Sequence, residues 1–327
     1  MAGQQGFTMK SLEYMSGRDA YGKIMAEIAK EDERVVLLTA DALGSTKGTA
    51  FYNNAPDRVF NMGIAESNMV TTAAGLAIAG KIPVVAGYGF LLAIHAAEQV
   101  RVDICYANKN VKLVATATGL AMGTGGSTHH CIEDVSIMRA FPNITIVSPA
   151  SAIETAIATR ACILGHVGPL YLRLIRGVTP EIYDTEDIGF EIGKAIILKE
   201  GKDITLIATG EPVYLTLKTA KVLEKEGIDA RVLNMHTVKP IDEKIILKAT
   251  EETKGIVTIE EGNVIGGLGD AVGSVVYEND KTTKIRKIGI NDEYCKIGST
   301  EALWEYYGIS EDGIIKAVKS ILKKRKK

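Results

Sequence analysis

The chain has 327 residues, about twice the usual domain size, so two domains are the starting expectation. Hydrophobic residues make up 46% and charged residues 24%, as in an ordinary globular protein. Thirty-eight Lys+Arg against 40 Asp+Glu leave a formal net charge of −2, which argues against a broadly basic nucleic-acid surface.

In chain order, residues 1–14 read as a loose leader, polar over Met1–Lys10. They hold no apolar signal core, so a cytoplasmic location is expected. Residues 16–30 place Tyr21, Ile24, Met25 and Ile28 on one helical face. The apolar run 35–39 then predicts a strand buried on both sides. Further strands are expected at 82–86, 111–116, 144–147 and 170–172, with helices at 66–79, 91–107, 132–140 and 152–164. The rhythm breaks over 177–192, an acidic, weakly periodic stretch that reads as a linker. It restarts with strands at 195–198, 205–208, 230–233, 255–259 and 284–288. The interposed helices are 213–226, 242–253 and 268–278, and an amphipathic helix ends the chain before a solvated basic tail, Lys323–Lys327. The fold class is therefore α/β: two domains, each a mostly parallel sheet flanked by helices. The longest uncharged stretch, 82–97, is too short to span a bilayer comfortably. Cys105, Cys131, Cys162 and Cys295 form no CxxC pair, so neither a disulfide framework nor a zinc site is expected.

Ligands of open parallel sheets bind beyond the carboxyl ends of the strands. Three segments fall there: 41–46, 61–69 and the glycine-dense loop 119–130, which ends in His129-His130. Glu66 begins an otherwise uncharged helix, so it is either a capping residue facing water or a buried acid that shares a proton with a ligand nitrogen. Adjacent histidines seldom converge on one ion, so a metal role for His129-His130 is disfavoured against acid/base or donor work. His95 reads as structural, and His166 and His236 have no supporting pattern. The Gly266–Gly273 run lacks the GxGxxG spacing, so close helix packing is the better reading there.

Taken in order, these segments resemble the transketolase family of thiamine diphosphate enzymes. The resemblance runs from about Met15 onward and is carried by Arg58–Met69, Gly126-Ser127-Thr128-His129, Met138–Asn143, Val147–Ala150, Leu233–Asp242 and the Gly266–Gly273 glycines. It implies a pyrimidine-binding domain over 15–176 and a family C-terminal domain over 193–327. The family's Gly-Asp-Gly motif for diphosphate and Mg²⁺ is missing from this sequence. The chain thus resembles the C-terminal subunit of a split transketolase. The implied partner is an N-terminal subunit that supplies the diphosphate and metal site, in an α2β2 assembly. Thiamine diphosphate is the implied cofactor, with Mg²⁺ bound mainly by the partner.

By the same resemblance, Glu66 matches the catalytic glutamate that hydrogen-bonds the pyrimidine nitrogen. Asp41, Tyr88 and Phe90 fall near the cofactor. His129 matches the histidine that contacts sugar oxygens and assists proton transfer, and Arg18, Ser45 and Arg176 fall on positions that bind substrate phosphate. The implied reaction passes a two-carbon ketol unit from a ketose phosphate to an aldose phosphate. Two departures touch the sugar: an acidic family position is Gly125, and a second family histidine is Ala117. Both changes enlarge the expected pocket and suggest a non-standard sugar, branched or sulfonated. The rival readings are the β subunit of a 2-oxo-acid dehydrogenase E1, a 1-deoxy-xylulose-phosphate-synthase-like enzyme, and a non-catalytic scaffold subunit that kept the fold.

Overall fold

The computed structural model describes residues 15–174 and 176–323. The expected leader at 1–14 and the basic tail beyond Lys323 lie outside the described residues. Among the described residues twelve strands form two sheets: β1 (Val35–Thr39), β2 (Val59–Asn61), β3 (Ile82–Tyr88), β4 (Lys112–Thr116), β5 (Thr145–Val147), β6 (Leu170–Arg173), β7 (Ile196–Lys199), β8 (Ile204–Ala208), β9 (Ala230–Asn234), β10 (Thr237–Lys239), β11 (Ile256–Asn263) and β12 (Ile285–Ile290). The first sheet runs β10-β5-β6-β4-β3-β1-β2 and the second β12-β11-β8-β9-β7. All pairs are parallel except β10 with β5 and β7 with β9.

The apolar runs become strands because helices cover both faces. Every residue of β1, β4 and β8 is buried. One face of the first sheet packs on helices Gly17–Glu31 and Ala152–Arg160, around Tyr21, Ile24, Leu37 and Ile153. The other face packs on Glu66–Ile78 and the 91–106 segment, around Leu38, Met69, Val85 and Ile104. Each such side chain contributes on the order of 1.5–3 kcal/mol relative to exposure.

The single helix expected over 91–107 is instead two wide π-type turns, Leu91–His95 and Val100–Tyr106, on either side of Ala97–Gln99. The buried residues explain it. Ala96, Val100 and Ile104 recur every four positions, a spacing that drifts off one face of a 3.6-residue helix and that wider turns restore. Two short helices, Thr49–Asn54 and Thr300–Tyr306, and strand β10 were not expected.

β10 belongs to the second half of the chain by sequence but is the last strand of the first sheet. The 177–192 segment is not a bare tether. Tyr183 is buried and hydrogen-bonds Glu154 and Asn234, while the Phe190 ring stacks 4.2 Å from that of His236. Arg173, buried at the end of β6, donates to the Glu261 carbonyl at 2.8 Å and pairs with Asp134 at 2.9 Å. The two sheets are thereby locked carboxyl edge toward carboxyl edge.

Candidate functional site

In the first sheet the chain leaves β1 for β2 on one side and returns to β3 on the other, so the connections part at the carboxyl ends of β1 and β3. That is the crevice where open α/β sheets hold ligands. A cavity of about 220 Å³ lies there, lined by Asp41, Ala42 and Ser45 after β1, Gly87 and Tyr88 at the end of β3, and Ile64, Glu66 and Leu91. Glu66 is the first residue of helix Glu66–Ile78 and only 5% exposed, so the reading of a cap facing water is wrong. Among the described residues no hydrogen-bond partner meets its carboxylate. Its carboxyl group opens onto the cavity, where a ligand from outside the chain can partner it.

Asp41 stands in the left-handed region at φ 53°. Asn61 holds it there: its Oδ1 accepts from the Asp41 amide at 2.9 Å and from the Gly63 amide at 3.1 Å, and its Nδ2 donates to Asp41 Oδ1 at 3.3 Å. Asn61 thus ties the loop after β1 to the turn that leads into Glu66. It falls within the Arg58–Met69 stretch, but nothing in the sequence assigned it this work.

From the cavity an aromatic line leads outward. The rings of Tyr88 and Phe90 lie parallel with centroids 6.1 Å apart, and Phe90 is tilted against His129 at 5.4 Å. His129 is exposed, with Nδ1 2.9 Å from Thr128 Oγ1, which leaves Nε2 toward solvent. Its neighbour His130 is buried, its Nε2 3.1 Å from the Gly123 carbonyl, and burial lowers its pKa. The histidine pair therefore divides into one group that faces out and one that braces the loop. The second half of the chain grips the same loop. Glu261 accepts from the Leu120 amide at 3.1 Å and from Trp304 Nε1 at 2.8 Å, and Ser127 donates to the Cys295 carbonyl. Gly119 adopts φ +60°, and a side chain there would strike the Glu261 carboxylate.

Arg18 and Arg176 are half-buried and share a second cavity of about 300 Å³ with Ala121, Glu211, Thr300 and Glu301. They are not plain surface arginines. Arg18 Nη1 donates to the Ser45 carbonyl at 3.3 Å, so the two cavities meet across Ser45. Burial, and then the nearby Arg176 charge, lower the Arg18 pKa. Glu211, Thr300 and Glu301 were missed in the sequence. The one available signal was that Thr209-Gly210-Glu211 follows β8 at its carboxyl end, where the crevice rule applies to the second sheet as well.

Other expectations fare differently. His95 is exposed and lines a third cavity with Phe90, Thr128 and His130, so it is not a packed structural residue. His236 is the packed one: it is fully buried beside Phe190 and Thr237, and burial pushes its pKa down to about 4. Ala117 is fully buried at φ 53°, so no open space remains at that position. A side chain at Gly125 would press on the His129 Cβ at 3.0 Å. The departure at 125 thus loosens packing around His129, and the expected enlargement at 117 does not appear. The Gly266–Gly273 run starts helix Leu268–Glu278, whose first amides donate to the buried Glu260 carboxylate at 2.7 and 2.9 Å. The chain fills this helix N-terminus itself. Among the described residues no group of three or more His, Cys, Asp or Glu could hold a metal ion, and no helix is long and apolar enough to cross a membrane.

Comparison with known proteins bears on the same two regions. Residues 13–181 match the family model for the transketolase pyrimidine-binding domain, and residues 193–314 the model for the transketolase C-terminal domain. The chain belongs to the transketolase family. It is 38% identical to the 6-deoxy-6-sulfo-D-fructose transketolase subunit SqwH of Clostridium sp. (strain MSTE9), over 94% of this chain and 95% of that one. It is 37% identical to an apulose-4-phosphate transketolase subunit of Phocaeicola vulgatus, over 94% and 97%. A solved structure described as "split gene transketolase, inactive beta4 tetramer" superposes with a TM-score of 0.85 at 40% identity, covering 94% of this chain and 98% of the other.

Proposed function

We propose that the chain is the C-terminal subunit of a split, thiamine-diphosphate-dependent transketolase of the cytoplasm. It transfers a two-carbon ketol unit from a ketose phosphate to an aldose phosphate and acts on a non-standard sugar. The observation that carries this reading is Glu66: a buried carboxylate without a protein partner, in a cavity at the switch point of the first sheet. Such a cavity, with Tyr88 and Leu91 on its wall and a carboxyl group in it, fits a flat heteroaromatic ring whose nitrogen shares a proton with the acid. The residues present fit the pyrimidine of thiamine diphosphate.

Glu66 would hold a proton toward the pyrimidine ring nitrogen, with Tyr88, Phe90 and Asp41 as the residues that would hold the ring. When bound, the cofactor supplies the carbanion chemistry that breaks and makes the carbon–carbon bond. His129 presents Nε2 to sugar oxygens while Thr128 fixes its Nδ1, which suits it to hold or move a proton there. Arg18 and Arg176, with Ser45, bind a terminal anion. Mg²⁺ and the diphosphate belong to a separate N-terminal subunit in an α2β2 assembly. Exposed Ile64 on the wall of this cavity, and exposed Ile94 on that of the neighbouring one, support an apolar partner there. The inactivity of the β4 relative supports the need for that partner. Relatives named for a sulfo-fructose and for apulose 4-phosphate support a sugar outside the common pentose phosphates.

The test is ketol transfer by this chain reconstituted with its candidate N-terminal subunit, thiamine diphosphate and Mg²⁺. Xylulose 5-phosphate, a branched ketose phosphate and a sulfonated ketose serve as donors, with each subunit alone as control. Turnover in the mixture alone, fastest with a branched or sulfonated donor, is the expected result. Silence with every donor in a verified, cofactor-loaded assembly would sink the reading.

A further inference from the structure

The arginine cavity has an unusual floor. Arg18 and Arg176 come from the first domain, but Glu211, Thr300 and Glu301 come from the second. Two guanidinium groups meet two carboxyl groups, and among the described residues no ion pair joins them. Arg18 Nε is buried without a partner. A cavity built only for a doubly charged anion would not place two carboxylates against it, since each repels the ligand in a water-poor space.

Glu211 is also where the second sheet opens. The chain leaves β8 for β9 on one side and returns to β11 on the other, so the crevice lies beyond the carboxyl ends of β8 and β11. Glu211 lies just past the end of β8, after Thr209-Gly210, and is the N-cap residue of helix Pro212–Lys225, yet its side chain makes no capping bond. The arginine cavity therefore lies at the second sheet's crevice and adjoins the first sheet's across Ser45, with the arginines on one wall and Glu211 on the other.

We propose that Glu211 is a specificity-determining residue of this cavity. A doubly charged terminal group binds well only while Glu211 holds a proton, whereas a singly charged terminus binds with less dependence on pH. The proposal rests on the reading of the cavity as a substrate-anion site and extends it to the charge of the terminus.

The groups facing Glu211 account for its behaviour. Burial pushes its pKa up to about 8, with Glu261 and Glu301 acting in the same direction and Arg173 opposing. Thr179 lies beside it, and Arg18 and Arg176 face it across the cavity. Near neutral pH Glu211 is thus protonated, and the cavity carries two positive charges against the single negative charge of Glu301. Above about pH 8 a second negative charge appears and a dianion meets a neutral site.

The test uses sulfate and methanesulfonate as probes, because neither changes charge between about pH 7 and about pH 9.5. The chain has one tryptophan, Trp304, on the helix that carries Thr300 and Glu301 and bonded to Glu261, so its fluorescence reports binding. Sulfate affinity is expected to fall by about tenfold or more over that range, and methanesulfonate affinity by clearly less. Glu211→Gln, which keeps the shape, should bind sulfate with little pH dependence, while Arg18→Ala should lose both anions. A flat wild-type profile, absence of sulfate binding, or an unchanged slope in Glu211→Gln (which would assign the proton to Glu261) overturns the proposal. Ketol transfer by the reconstituted enzyme is measured separately. Activity with a flat sulfate profile removes only the charge selector, and a sulfate slope without activity removes only the transketolase reading.

Discussion

Glu66 and Glu260 present the same problem to the fold and receive opposite answers. Both are buried carboxylates beside the start of a helix rich in small residues, at the carboxyl edge of a parallel sheet. Glu260 accepts the amides of Leu268 and Gly269, and a side chain at Gly267 would collide with it. Its oxygens are satisfied, the helix N-terminus is closed, and the site is structural. Glu66 opens its own helix, has no partner among the described residues, and faces a cavity. What separates the acid proposed to meet a ligand from the structural one is the count of hydrogen-bond partners within the chain.

The comparison breaks most sharply under substitution. Glu66→Gln keeps the volume but removes the acid, and turnover of the reconstituted enzyme should fall by about 10³-fold or more. The melting temperature should hardly move, because no protein partner loses a bond. Near-normal turnover would return Glu66 to the class of Glu260. The reverse pattern is expected at Glu260. Glu260→Ala strands two buried amides and leaves a void, which costs about 2–4 kcal/mol of stability. Turnover per folded molecule should stay within about twofold. Thermal or urea unfolding beside a rate normalised to folded protein separates the two effects.

That contrast also marks how far the sequence could be read. Continuous apolar runs such as Val35–Thr39 announce buried parallel strands, and helices such as Gly17–Glu31 and Glu311–Leu322 sit on periodic stretches, while Glu66–Ile78 and Ala152–Arg160 follow only from the alternation of strands and helices. The 91–106 segment misled because a four-residue spacing of buried groups looks helical until the backbone widens to follow it. β10 was invisible because Thr237–Lys239 is too short to show a period and pairs with a strand some ninety residues earlier. At the site, the residues carried by the family resemblance do gather. Asp41, Ser45, Glu66 and Tyr88 share one cavity, Phe90 and His129 extend it, and Arg18 and Arg176 adjoin it through Ser45. The second domain's share was not legible: Glu211, Glu261 and Glu301 look like ordinary acids, and their positions follow only from how the two sheets face each other.

The smallest effect expected from this comparison is one of pH. Burial raises the pKa of Glu260 to about 7 and that of Glu154 to about 7, both above the usual carboxylate value near 4.5. In the folded chain these acids hold protons that the unfolded chain has already released, so the folded state binds more protons between about pH 4.5 and pH 7. Their stabilising contribution is complete below about pH 4.5 and is lost as pH rises through about 7. In the acid direction, the ion-paired Asp19, Glu31 and Asp203 have lowered values, so their contribution is lost at still lower pH. Stability should therefore be greatest near about pH 5, and the melting temperature should decline toward pH 8. Glu260→Gln cannot titrate, so it should shrink that decline by about 1–3 °C, whatever it does to stability at any single pH. A decline in Glu260→Gln equal to that of the wild type would show that the helix amides hold Glu260 ionised throughout, and would trace the pH dependence to Glu154 and Glu211.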